Sequence, residues 1–407
     1  SGALVIPGTT TIAAGSGNNI TLDGTSNNFT GAVIITSGNN VTLVDAGAIL
    51  LGASTVSGTY AVTATSGGDI TDSGVLAITG ASTLTVAGGQ SITLDSSSTF
   101  TGTVTFAASS GTLAAVTIND STAFDLKAMT LTGNLSVTAG GAVTDSGALV
   151  IPGTTTIAAG SGNDITLDGT SNNFTGAVII TSGNNVTLVD AGAIDLGAST
   201  VSGTYAVTAT SGGDITDSGV LAITGASTLT VANGQSITLD QSSTFTGAVS
   251  FASGGTIAGV TIKDSGAFDL AALTITGNLT VTAGGAVTDS GTLVVPGTAT
   301  ISASGQAVTL DQAASNFGTI AITGANVAVT DTNALILGAA TVSGTYAVTA
   351  GGALTDSGTQ EITGATTISA SGQNVTLDTS TNNFAAAVGV TGANVAITDE
   401  DAIDLGA

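Results

Sequence analysis

Apolar and polar residues alternate along this chain in short runs. Ile20-Thr21-Leu22, Val41-Thr42-Leu43 and Ile92-Thr93-Leu94 each set two aliphatic side chains on one face and a threonine on the other. A two-residue period built from β-branched residues predicts a strand with one face buried and one wet. Clusters such as Gly38-Asn39-Asn40, Ser66-Gly67-Gly68 and Ala139-Gly140-Gly141 break the runs every eight to ten residues. No stretch carries a 3.6-residue period, and glycine and threonine are too frequent for helices. The pattern predicts an all-β chain.

Repetition sets the architecture. Residues 1–72 and 146–217 differ only at Asn19 versus Asp164 and Leu50 versus Asp195. The long repeats are 1–145, 146–289 and a partial 290–407. Each divides again, because Thr-Asp-Ser-Gly recurs at Thr71, Thr144, Thr216, Thr288 and Thr355, giving sub-repeats of 67 to 73 residues. Pro7, Pro152 and Pro296 fall at equivalent positions before glycine and read as a turn. No linker or charge block interrupts the series, so 1–407 reads as one continuous repeat region. The last phrase, Leu405-Gly406-Ala407, matches Leu196-Gly197-Ala198 in mid-repeat, so the chain is expected to be a segment of a longer protein.

Aspartates close most of the alternating runs. Seventeen of them, from Asp23 to Asp399, are spaced 20 to 27 residues apart, with a mean of 23.5. A unit of about 24 residues with two or three short strands is one rung of a solenoid. The expected fold is therefore a parallel β-helix (β-solenoid) of about 17 rungs, stacked into a rod on the order of 80 Å long. A β-sandwich is the rival, and near-identical tandem copies argue against it.

Composition narrows the chemistry. The 407 residues include 59 glycines, two lysines (Lys127 and Lys263), no histidine and no cysteine, with a formal charge of −25. Zinc fingers, iron–sulfur clusters, Ser-His-Asp triads and thiol nucleophiles are excluded. Two lysines cannot grip a phosphate backbone, so nucleic acid is not a partner. The 42% apolar content sets the chain apart from a disordered one, and 3% aromatics imply a thin aliphatic core. No 18-residue apolar run is present, so no transmembrane segment is expected in this chain.

The phrases Asn18-Asn19-Ile20-Thr21-Leu22-Asp23, Gly38-Asn39-Asn40-Val41-Thr42-Leu43 and Gly68-Asp69-Ile70-Thr71-Asp72-Ser73-Gly74 resemble the strand repeats of large bacterial exoproteins. These are the filamentous-haemagglutinin-like adhesins, often exported by two-partner secretion. The resemblance runs along essentially the whole chain. It implies a right-handed β-helix stalk at the bacterial cell surface, extracellular, serving adhesion, aggregation or biofilm matrix. The family's secretion domain and distal binding domain are not present in this sequence.

The candidate metal ligands are Asp23, Asp45, Asp72, Asp95, Asp120, Asp145, Asp168, Asp190, Asp217, Asp240, Asp264 and Asp289. Stacked carboxylates would repel, and Ca²⁺ is the ion that suits them. Asp125, Asp195, Asp269 and Asp404 add a second carboxylate five residues on. The competing reading makes each aspartate a turn residue that bonds its own backbone. Asparagine pairs such as Asn39/Asn40 suit amide ladders at corners. Triplets beginning at Asn28, Asn40, Asn134, Asn173, Asn185, Asn278 and Asn374 fit the glycosylation sequon, which chance explains in a threonine-rich chain. Phe29, Phe100, Phe174, Phe245, Phe317 and Phe384 recur at spacings of 67 to 74 and read as core packing rather than a sugar platform. Catalysis needs a singular constellation, and here every carboxylate environment is repeated, so no enzyme and no cofactor beyond calcium are expected.

The leading expectation is a structural repeat region, a rigid stalk or filament of a surface adhesin or biofilm-matrix protein. The alternative is a self-polymerising surface layer, sheath or filament subunit. Expected partners are homotypic contacts, end-to-end copies, or neighbouring cell and matrix surfaces. Ice binding would need a Thr-x-Thr in every rung, which the sequence lacks.

Overall fold

The computed structural model describes residues 2–406; Ser1 and Ala407, where the first long repeat opens and the last phrase ends, lie outside the described residues. Each alternating run becomes a strand paired in parallel with the run one turn later. Ile20 registers with Val41, Thr42 with Ala61 and Leu84 with Phe106. The fold is a parallel β-solenoid of about 19 turns with about 21 residues per turn, and the described residues include no helix.

The expectation of 17 rungs of 24 residues is therefore only roughly close, and the reason is geometric. It counted one turn per aspartate, three to a sub-repeat. A sub-repeat of about 72 residues at about 21 per turn winds close to three and a half turns instead. Equivalent motifs consequently alternate between two broad faces. Val41–Asp45 lies on one face, with Tyr60–Ala64, while its counterpart Val116–Asp120 lies on the other, with Leu135–Ala139.

The chain divides after Thr204 into two compact units. In the first, one broad face runs through Thr10–Ala13, Val33–Ser37, Ile49–Leu51, Ile70–Asp72, Ile92–Phe100, Val116–Asp120, Leu135–Ala139, Thr155–Ala158 and Val178–Ser182. The second face begins as a five-stranded sheet from Ile20–Leu22 to Val104–Ala108. It stops there and restarts as a separate ladder with Phe124–Leu126, Val143–Asp145, Ile165–Leu167 and Val186–Asp190. Short side ladders join the faces: Ser54–Val56, Leu76–Ile78 and Phe100 on one side, Met129–Thr130, Leu149–Ile151 and Asn173–Phe174 on the other.

The second unit repeats this plan. Its first face follows Ile215–Asp217, Gln235–Phe245, Ile257–Asp264, Leu279–Ala283 and onward to Val395–Ile397. Its second face holds Tyr205–Ala209, Ser227–Val231 and Val249–Ser253, stops, and restarts as a seven-stranded sheet from Phe268–Leu270 to Val388–Thr391.

Inward positions fill a thin aliphatic lumen, as along Leu43, Val62 and Leu84, all 0% exposed. The backbone closes tightly at the corners. A Cβ added to Gly80 would meet Gly58 O at 2.3 Å, and one on Gly102 would meet the Gly80 carbonyl carbon at 2.4 Å. Only a residue without a side chain lets these turns stack. Tyr346 is buried in the second unit's lumen, and its hydroxyl has no hydrogen-bond partner. Burial pushes that phenol's pKa up. Removing an unsatisfied buried hydroxyl removes a penalty, so Tyr346→Phe is expected to keep or raise stability, by up to about 1 kcal/mol. A denaturant melt checks this, and a loss beyond experimental error would show that the hydroxyl is satisfied.

Candidate functional site

The aspartates occupy three different stations, each defined by what the carboxylate accepts. The first station is the buried end of a five-residue strand. Asp45, Asp190 and Asp331 take the backbone amides of Phe29, Phe174 and Phe317, from the preceding turn, at 2.7, 2.6 and 2.6 Å. Their other oxygens take the local corner amides of Gly47, Gly192 and Asn333 at 2.7, 2.6 and 2.8 Å. Each carboxylate thus clasps two turns together while forming its own turn. Asp399 closes the same contact with Phe384 at 3.1 Å.

Asp120 and Asp264 form the open version of this clasp. They keep the local bonds to Thr122 and Gly266 at 2.8 and 2.7 Å, but their Oδ2 atoms are buried without a hydrogen-bond partner. The Phe100 and Phe245 amides still face them and pull their pKa values down a little, without closing a full bond. Spacing explains the difference. Phenylalanine and aspartate are 14 to 16 residues apart in the closed clasps. They are 20 and 19 apart in the open ones, where segments 109–115 and 254–256 lengthen the path.

The second station is the Thr-Asp-Ser-Gly corner. Asp72, Asp145, Asp217, Asp289 and Asp356 accept the amides of Asp95, Asp168, Asp240, Asp311 and Asp378 at 3.0, 2.9, 2.8, 3.0 and 3.0 Å. Those donors, with Asp23, make up the third station, whose residues are exposed. The register therefore pairs aspartate with apolar or serine residues rather than with aspartate: Asp45 with Ala64, Asp120 with Ala139 and Ser98, and Asp145 with Leu126. Among the described residues, no group of three or more His, Cys, Asp or Glu side chains converges as a metal cluster would. If amide capping is the whole role of these carboxylates, melting curves in calcium and in chelator coincide. A difference of many degrees would mark a metal site.

Of the second carboxylates, Asp125 accepts from Lys127 Nζ at 2.6 Å, from the Ser146 hydroxyl at 2.8 Å and from Thr144 at 3.3 Å. Burial would raise its pKa, but these bonds and the Lys127 charge outweigh it and lower the pKa. Asp269 has no such lysine and accepts from Thr288 and Ser290 at 2.8 and 2.5 Å. The asparagine corners are partly ladders and partly backbone caps. Asn19 Oδ1 takes the Asn39 and Asn40 side-chain amides at 3.3 and 3.2 Å, while buried Asn27 and Asn172 take the backbone amides of Leu4 and Leu149 at 3.0 and 2.9 Å. All six recurrent phenylalanines are buried, at 0 to 6% exposure, so no ring face is free to stack on sugar.

Burial pushes the carboxyl groups of Asp120, Asp190, Asp264 and Asp331 above the ordinary 3.8, and amide hydrogen bonds offset only part of this. Asp72 and Asp289 are raised by burial too, and neighbouring Asp95 and Asp311 add to the effect. A raised carboxyl pKa means that protonation favours the folded chain. The gain is complete below the unfolded value and is lost as pH rises through the folded one. Relief of the −25 net charge acts in the same direction, while the half-buried Asp125, whose pKa is lowered, acts against it. The chain is expected to melt higher at about pH 4.5 than at about pH 8. A melting point that falls on acidification would contradict this.

The break in the second face was not foreseen from the sequence. Val104–Ala108 and Phe124–Leu126 belong to consecutive turns but share no register. A cleft of about 160 Å³ opens between Phe100–Val104 and Ala123–Asp125. Another of about 180 Å³ lies beyond Phe106 and Ala108, against Leu113 and Met129. In the second unit the equivalent break between Val249–Ser253 and Phe268–Leu270 holds a cleft of about 200 Å³ beside Asp269. The sequence signal was the longer Phe-to-Asp spacing.

These features define a repeat protein of the parallel β-solenoid class, whose polar side chains mainly cap its own backbone. The chain belongs to the family described as repeats of unknown function (DUF5649), which matches residues 1–36, 38–107, 113–181, 183–252, 258–323 and 324–391. No curated protein and no solved structure shows a significant match to it. Among the described residues, no helix is long and apolar enough to cross a membrane.

Proposed function

We propose that this chain is a structural, extracellular repeat region, a stiff stalk or filament of a bacterial surface adhesin or biofilm-matrix protein. The observation that carries the reading is the recurrence of one self-capping architecture without a singular catalytic constellation. Buried carboxylates are spent on backbone amides, as at Asp331 with Phe317 and Asn333, so they hold turns together rather than face a substrate. Parallel ladders give axial stiffness, and the acidic surface keeps neighbouring copies apart. The chain is not an enzyme on this reading, and its placement at the cell surface rests on the resemblance of its repeats to those of exported adhesins.

Electron microscopy of the native protein on cells and after shearing tests this. Thin single rods anchored at one end are the expected result. Continuous fibres or lattices far longer than one chain would replace the stalk with a self-polymerising layer, and an intracellular location would overturn both.

A further inference from the structure

We propose that Asp120 and Asp264 are latches held open, each able to switch to the closed clasp that Asp45, Asp190 and Asp331 already form, narrowing the cleft beside it. The starting point is a donor and an acceptor that face each other without a bond. Successive amides of a parallel strand point to opposite neighbours. Asn28 N and Thr30 N donate back to Leu4 O and Ile6 O at 2.7 and 3.0 Å, so Phe29 N points forward and reaches Asp45. Thr101 N and Thr246 N likewise donate back, to Ile78 O and Ile223 O, each at 2.9 Å. Phe100 N and Phe245 N therefore point forward, at the carboxylates of Asp120 and Asp264. The Oδ2 atoms there are buried and unpartnered.

Room to close lies at one corner. The turns are already bonded on both flanks of the break, Ser121 N to Ser98 O at 2.7 Å and Thr132 N to Leu113 O at 2.9 Å. Between the flanks Phe106 meets Phe124, with ring centroids 6.4 Å apart. In the second unit Ser265 N to Ser243 O at 2.7 Å and Thr276 N to Ile257 O at 2.9 Å repeat the arrangement. What stays apart is the corner from Phe100 to Val104, across a cleft of about 160 Å³ from Ala123–Asp125, and its counterpart from Phe245 to Val249, across about 200 Å³. Clefts of this size hold several waters.

An unmet buried donor and an unmet buried acceptor both favour closure. The longer segments 109–115 and 254–256 hold it off. Closed and open forms of one element stand side by side in this chain, which marks the element as bistable rather than merely soft. The first face pairs without interruption past both breaks, so each latch marks where its unit's second face can give.

The test follows hydrogen exchange at single amides of the full chain, in buffer and in concentrated sucrose. Sucrose is excluded from protein surface and favours whichever arrangement sheds water. In buffer the Phe100 and Phe245 amides are expected to exchange at least tenfold faster than those of Phe29, Phe174 and Phe317. Sucrose is expected to slow the first two severalfold relative to Phe29, reversibly on dilution. Asp120→Asn and Asp264→Asn keep an oxygen for the local corner amide but set a second donor against the phenylalanine amide. Each is expected to abolish the sucrose response at its own latch alone, with circular dichroism unchanged. Protection equal to that of Phe29 in buffer would mean that both clasps are already closed, and fast exchange unmoved by sucrose that they are fixed open. Either result in the unaltered chain overturns the latch, as does a sucrose response that survives in the two variants.

Discussion

Gly80→Ala is expected to disrupt the turns around it, whereas Gly17→Ala leaves the melting curve nearly unchanged. At Gly80 the new Cβ would lie 2.3 Å from Gly58 O, 2.4 Å from its carbonyl carbon and 2.8 Å from Thr59 N, all backbone atoms. None of these can swing aside, because the Gly80 amide is itself bonded to Gly58 O at 3.0 Å. Relief requires the turns to separate at that corner, and the neighbouring ladders resist. Overpacking of this kind costs about 3 kcal/mol or more. A Cβ on Gly17 meets nothing within 4 Å, and its φ is not positive. There alanine only narrows the unfolded ensemble, an effect of about 0.5 kcal/mol in the stabilising direction. Denaturant melts of the two variants decide the matter, and equal midpoints would mean that the corner is looser than its geometry.

Asp331→Ala, at one of the closed clasps, is expected to be among the most damaging changes at an aspartate. It strips the buried Phe317 amide and the amide of Asn333, an exposed corner residue, of acceptors now at 2.6 and 2.8 Å. An orphaned buried donor costs about 1–3 kcal/mol, and the Asn333 amide can bond water instead, so a loss of about 1–3 kcal/mol is expected. Asp331→Asn keeps one acceptor and is expected to lose about half as much. Asp264→Ala serves as the internal comparison, since its carboxylate closes only the Gly266 bond and leaves Oδ2 unpartnered. It should cost clearly less. If Asp264→Ala proves as harmful as Asp331→Ala, the distinction between closed and open clasps fails.

Strand identity, parallel stacking and the aliphatic lumen were readable from runs such as Val41-Thr42-Leu43, because a two-residue period records directly which side chains face inward. The phenylalanine column was legible as core for the same reason. The aspartates were harder. Asp45 and Asp72 look alike in sequence, each closing a short apolar run, yet one clasps Phe29 from the preceding turn and the other caps Asp95 in the following one. That difference depends on which turn a residue falls in, and the average aspartate spacing concealed it by implying a whole number of turns per sub-repeat. The break after Ala108 was invisible for a related reason. Val104–Ala108 and Phe124–Leu126 both read as good strands, and only the path length between them withholds their pairing.

The half-integer winding also bears on how such a gene can lengthen. Copying one sub-repeat of about 72 residues adds close to three and a half turns, so everything downstream arrives facing the opposite way. Copying two together, 145 residues, adds close to seven turns, a near-whole number, so each cap and corner glycine falls at the same point of its turn. The near-identity of residues 1–72 and 146–217, set against the looser likeness of adjacent sub-repeats, is the record such pairwise duplication would leave. Natural length variants of this repeat should therefore differ by even numbers of sub-repeats, and a recombinant that deletes only one would turn every downstream surface away from its former partner.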